Sequence, residues 1–238
     1  MELTPVLLLG AALLVGAFVQ SSIGFGMAVV AAPFIVVFTP ELMPGALLVT
    51  SFSLPVVQLV HGPRDIAWRP LGWALAARML VTPLGVAAVA LLSVRAISVV
   101  TGLLILLTVA ASVSALDLRP TPLSSAAAGA VAGFSGTAAS IGGPFFALVL
   151  QHERPTRVRA TLSAFFLVGA LMAVTGLAIA GEFTRDQLVA GLVWVPFIGI
   201  GYAVAAPARA RLDRERLRKA VLVFCVVASV SVIVRAVV

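Results

Sequence analysis

The sequence predicts an all-α polytopic membrane protein of two inverted repeats, each a re-entrant or broken helical hairpin followed by three transmembrane helices. Three observations carry this. The composition is too apolar for a soluble domain. Two apolar segments are interrupted near their centres by Gly and Ser. A short motif recurs half a chain away.

Of 238 residues, 61% are hydrophobic and 11% charged, and the mean hydropathy is +1.17, far from soluble averages. Met1 and Glu2 lack the basic n-region of a cleaved signal peptide and apolar runs continue to Val238, so the first run is expected to belong to the mature fold. The formal net charge of +7 could suggest nucleic acid, but the basic residues fall in short gaps between apolar runs and form no continuous face, so no nucleic-acid partner is expected. Cys225, the single cysteine, excludes an intramolecular disulfide and a cysteine metal cluster. It reads as a small packing residue.

With about 20 apolar residues per crossing as the measure, spans are expected at Leu42–Val60, Ile66–Leu92, Ala96–Leu116, Val158–Ala180, Gln187–Ala206 and Leu217–Val237. Two segments do not fit that measure. Thr4–Phe38 would be roughly 50 Å long as one helix, against a hydrocarbon core of about 30 Å. Split at Gln20–Gly26 ("QSSIGFG"), it gives limbs of about 24 and 18 Å. Pro122–Leu150 is interrupted by "GFSGTAASIGGP". Each is expected to be two half-helices meeting near mid-membrane.

The triplet Ser22-Ile23-Gly24 recurs as Ser140-Ile141-Gly142, 118 positions on, and each copy lies in a broken segment that three spans follow. Fixed-offset similarity of this kind marks a repeat. The halves divide as 1–118 and 119–238. Lys and Arg accumulate on the cytoplasmic side. With both broken segments re-entrant, one side holds Arg64, Arg69, Arg119, Arg154, Arg157, Arg159, Arg209, Arg211, Arg214, Arg216, Arg218 and Lys219, and the other only Arg95, Arg185 and Arg235. With both crossing fully, the split weakens to ten against five. The re-entrant, inverted topology is favoured, with both termini outside.

Irregular backbone at membrane depth must be buried in protein or line a polar cavity. The second limbs begin near Gly24–Gly26 and Gly142–Pro144, so free N–H groups and two helix N-termini are expected to converge as an anion site. Pro144 suits the first turn of a helix. The alternative is that Gly and Ser only permit close helix packing, as Gly129 and Gly133 would in their small-xxx-small pattern. Arg78, near the centre of a span, is a second ligand or a gate, or else snorkels to an interface or bonds a helix carbonyl. Gln20, Ser21, Thr50, Ser51, Ser135, Thr137 and Ser163 could line the path or bond helix carbonyls. His61 and His152 sit at span ends as interfacial or loop residues. Gly133-Phe-Ser135-Gly136 matches the GxSG of intramembrane serine proteases, but the chemistry needs a histidine base. The only later histidine, His152, falls in a surface loop. A noncatalytic membrane scaffold is a further alternative, one that leaves the paired breaks without a reason.

The stretches "GAFVQSSIGFGMAVVAAP" and "GAVAGFSGTAASIGGPFFALVL", each continuing with "TS" or "ATLS" in the next span, resemble the sulfite exporter TauE/SafE family of bacterial membrane proteins over nearly the whole chain. The first half departs from the family's consecutive glycines, with Phe25 and Met27 in their place. The resemblance implies export of sulfite or an organosulfonate such as sulfoacetate across the bacterial inner (plasma) membrane. Carried over, its loop positions are Ser22, Gly24 and Gly26 in the first half and Ser140, Gly142 and Gly143 in the second. With the residue-level reading, the expected substrate-binding set is Gln20, Ser21, Ser22, Gly24, Gly26, Arg78, Ser140, Gly142 and Gly143. No enzyme activity, cofactor or metal is expected. The expected partners are a small anion and the lipid bilayer, with a homodimer left open. No span carries a carboxylate at its centre and no nucleotide-binding motif occurs.

Overall fold

A computed structural model describes residues 3–23, 26–62, 65–114, 116–208 and 213–237. The first half contains α1 (Leu3–Ile23), α2 (Met27–Phe38), a 3-10 turn (Pro40–Leu42), α3 (Gly45–Thr50), α4 (Ser53–His61), α5 (Trp68–Leu91) and α6 (Val94–Val113). The second contains α7 (Pro122–Ala139), α8 (Gly143–Val149), α9 (Pro155–Ile179), α10 (Arg185–Ala208) and α11 (Arg214–Val237). Among the described residues there is no strand. Helices α5, α6, α9, α10 and α11 are each long and apolar enough to cross a bilayer. Their outward faces carry exposed Leu80, Leu84, Leu103, Leu107, Leu171, Leu192, Val223 and Val227, which suits lipid rather than water.

The expected span Leu42–Val60 is corrected. It is not one crossing helix but a 3-10 turn followed by α3 and α4, separated at Ser51–Phe52. Pro55 has no N–H to donate to the Ser51 carbonyl, which frees the turn before it. The hydroxyls of Thr50 and Ser51 bond the Leu47 carbonyl at 2.9 and 2.6 Å, and that of Ser53 bonds the Thr50 carbonyl at 2.7 Å. Such back-bonding bends helices.

Side-chain ties fix which loops share an end of the bundle. Gln151 donates through Nε2 to the carbonyls of Leu116 and Leu118 at 3.0 and 3.2 Å, and His152 pairs with Asp117. The Ala67 N–H donates to Thr161 Oγ1 at 2.9 Å, and Arg157 lies 3.6 Å from Asp65. The chain therefore enters α7 and leaves α8 at one end, beside residues 65–67. At the other end Gln187 Nε2 donates to the carbonyls of Glu41 and Met43 at 3.0 and 3.3 Å, so α2 exits where α10 begins. Gly10 faces the ring of Phe197, and Gly201 faces Leu14 and Ala17, so α1 runs parallel to α10 and starts at that second end.

The packing pairs follow an exchange of halves. Helix α7 lies along α5 as α1 lies along α10, α9 packs on α5 as α3 and α4 pack on α10, and α6 packs on α11. Small residues set the separation. A Cβ on Gly129 would fall 2.6 Å from the Ala74 carbonyl carbon, and one on Gly133 2.7 Å from the Arg78 carbonyl oxygen. Both glycines are close-packing residues, as their spacing suggests.

Candidate functional site

Both breaks are shorter than the composition suggested. Gln20, Ser21 and Ser22 are the last turn of α1, and α7 runs helically through Gly133–Ala139, so irregular backbone is confined to Ser140–Gly142 in the second half and ends at Gly26 in the first. Gly24 lies outside the described residues. Gly26, the N-cap of α2, has φ 102 and ψ 121, a conformation open to glycine and strained for other residues. At the second tip the positive φ belongs to Ser140, at φ 61, and Gly142 has φ −120. Ser140 closes α7 in the left-handed region, Ile141 N–H donates to the Ser135 carbonyl at 3.1 Å, and Ser140 Oγ donates to the Pro44 carbonyl at 3.1 Å. Pro144 falls in the first turn of α8, where its missing N–H goes unmissed.

The two tips line one cavity. Gln20, Gly26, Met27, Ala28 and Val29 come from the first hairpin, Ser140, Ile141, Gly142, Gly143 and Pro144 from the second, Ser51 and Leu54 from the kinked segment, and Phe166 from α9. About 40 Å³ is open to the centre of a water molecule, against ~10–15 Å³ for a single water. Gln20 has a definite role here, because Met27 N–H at the start of α2 donates to Gln20 Oε1 at 2.6 Å. A neutral side-chain oxygen thus occupies the orphan donor that would face an anion.

Arg78 lies behind the second tip. It is 3% exposed and belongs to no ion pair among the described residues; Nε and Nη1 are buried without a hydrogen-bond partner. Its guanidinium rests 4.7 Å over the Phe165 ring, a favourable cation–π contact. It fills the space that a side chain on Gly169 would take, and a Cβ on Gly136 would stand 2.8 Å from Nη2. A Cβ on Gly142 would stand 3.5 Å from Nη1, so only a side-chain-free residue separates the cation from the cavity. Snorkelling to an interface is thereby ruled out for Arg78.

Of the expected set, Gln20, Gly26, Ser140, Gly142 and Gly143 come together, and Arg78 stands beside them without lining the cavity. The hydroxyls of Ser21 and Ser22 are buried and unpartnered away from that lining. Ser51 was one of several hydroxyl candidates, and Leu54 and Phe166 carried no sequence signal. Ser135 bonds the Val131 carbonyl at 2.8 Å and lies 13 residues into α7, roughly 20 Å from the end where His152 sits. That separation puts His152 out of reach of the Ser135 hydroxyl. The side chain of His61 lies outside the described residues.

The tips make a graded prediction. Gly26→Ala should lower stability by about 1–3 kcal/mol through strain at positive φ, although its Cβ would meet nothing closer than 3.5 Å. Ser140→Ala should lose about 1 kcal/mol with its hydrogen bond. Gly142→Ala should fold with little change, since its Cβ would meet Ala132 at 3.4 Å, yet bind anions less well with a methyl group between cavity and cation. Thermal melts and binding calorimetry on the detergent-solubilised variants separate the two effects. Normal binding by Gly142→Ala would exclude Arg78 from acting through that wall.

Fold and cavity together define a multi-pass α-helical membrane protein with a cavity between two helix breaks. The sequence model of the family described as Sulfite exporter TauE/SafE matches residues 8–232, and the chain belongs to that family of membrane transport proteins. No curated protein and no solved structure gives a significant match.

Proposed function

We propose that the protein carries small sulfur oxyanions, sulfite or an organosulfonate, across the bacterial inner membrane, and that they bind where the two hairpin tips meet. The observation carrying this reading is the cavity that both breaks line, with Arg78 behind it. A buried cation without a counter-ion is expensive and is relieved by an entering anion. At an effective dielectric of ~20, two opposite unit charges about 4 Å apart attract by about 4 kcal/mol, and the attraction falls inversely with their separation. Gln20 leaves Met27 N–H when substrate arrives, so an anion oxygen replaces an amide oxygen and no donor is stranded.

In liposomes containing the purified protein, sulfite or a short organosulfonate should be taken up in preference to neutral solutes. Arg78→Lys should keep part of that flux and Arg78→Ala should lose it, because lysine keeps the charge but not the planar fork. Uptake of neutral solutes alone would end the anion reading.

We further propose that 1–118 and 119–238 are repeats inverted across the membrane, which then expose the site alternately. Support comes from the hairpins entering at opposite ends, the exchange of packing partners and the distribution of charge. Arg69, Arg119, Arg154, Arg157, Arg159, Arg214, Arg216, Arg218 and Lys219 gather at the end where α7 starts, against Arg95, Arg185 and Arg235 at the other; Arg64, Arg209 and Arg211 lie outside the described residues. The first end is then cytoplasmic, and both termini are periplasmic. In a Cys225→Ala background, cysteines beside Arg157 and Arg214 should react only with reagent on the cytoplasmic side, and one beside Arg185 only from outside. Residues 157 and 185 labelled from the same side would defeat the inversion.

A further inference from the structure

We infer that the site selects compact monoanions and discriminates against dianions, with Arg78 as the single balancing charge. This rests on the anion-transport reading and narrows its substrate class.

Charge and size point the same way. Arg78 is the only charged residue among the buried ones described, and no carboxylate accompanies it. Its buried Nε and Nη1 lack partners, and the polar side chains of the cavity wall, Gln20, Ser51 and Ser140, are all neutral. One negative charge therefore neutralises the interior. A second would have to be desolvated against dipoles alone, the uncompensated buried charge that proteins avoid.

The cavity's 40 Å³ open to a water's centre is about three times what one water requires. That admits an ion with a central atom and three or four substituents. A second acidic group on a spacer would have to extend beyond that space, and Phe166, whose ring would stand 2.5 Å from a Cβ on Gly143, stands on one side of it. Hydrogensulfite and short monosulfonates fit on both counts, whereas sulfoacetate, with a carboxylate and a sulfonate, fits on neither.

Methanesulfonate and sulfate separate charge from size, since they share a tetrahedral sulfur and nearly the same volume. Binding calorimetry on the detergent-solubilised full chain, at constant ionic strength, should find methanesulfonate at least tenfold tighter than sulfate and sulfoacetate. Arg78→Gln should bind methanesulfonate at least tenfold more weakly and lose the preference. Arg78→Lys should retain the preference even where absolute affinity drops. Sulfate bound as tightly as methanesulfonate by the wild-type protein, or a preference lost in Arg78→Lys, overturns the monoanion inference while leaving anion transport standing. Failure of the wild-type protein to bind any of the three overturns both.

Discussion

Gly169→Ala should abolish anion transport, lowering uptake at least a hundredfold, although Gly169 does not line the cavity. The guanidinium of Arg78 occupies the space a Cβ would take, with the Phe165 ring 4.7 Å away and Gly136 on α7 closing the slot. With the methyl group present, the guanidinium must leave that seat, and over-packing of this kind destabilises by about 1–3 kcal/mol. The double variant Gly169→Ala/Arg78→Gln tells displacement from general damage. The shorter, uncharged side chain lacks the Cζ and Nη1 that come closest to the new Cβ, so part of the thermal stability should return while transport does not. Normal transport by Gly169→Ala would show that Arg78 need not occupy this slot.

The second large effect is structural. Gly129→Ala should lower the melting temperature by about 10 °C or prevent folding, because its Cβ would meet the backbone of Ala74 and neither helix has a side chain there to move aside. Backbone against backbone leaves only separation of α5 from α7, at about 3 kcal/mol or more, and each kcal/mol shifts the melt of a chain this size by about 2–4 °C. Gly72→Ala, on the same helix pair's outer surface with nothing within 4 Å, should melt within a degree or two of wild type. Equal melts for the two variants would mean that α5 and α7 do not pack through Gly129. Because α5 carries Arg78 and α7 ends at Ala139, next to Ser140, this seam also sets the distance between cation and tip.

By itself the sequence determined the membrane class, five of the six expected spans, the existence and approximate place of two breaks, and the anomaly of Arg78. Each is a property of a short window: apolar length against bilayer thickness, Gly and Ser where a helix should be uninterrupted, a cation in an apolar run. The sixth span, Leu42–Val60, departs from the expectation because apolar length does not register how Pro55 and the Thr50–Ser53 hydroxyls undo the helix locally. The same limit hid the exact backbone of the second tip, where Ser140 rather than Gly142 takes the left-handed conformation.

The convergence of the two tips is legible in the paired breaks, but only the tertiary structure decided that Gln20 caps α2, that Phe166 closes the wall, and that Arg78 sits in a slot made by residues 58 and 91 positions further on, Gly136 and Gly169. In a soluble helix the polar stripe announces which face turns outward, and packing partners can be guessed from it. In a bilayer the outward face is apolar as well, so buried Trp194 and exposed Leu192 on α10 look alike in sequence. Rotation and pairing of the helices are set by close contacts between small residues, which belong to two distant segments at once.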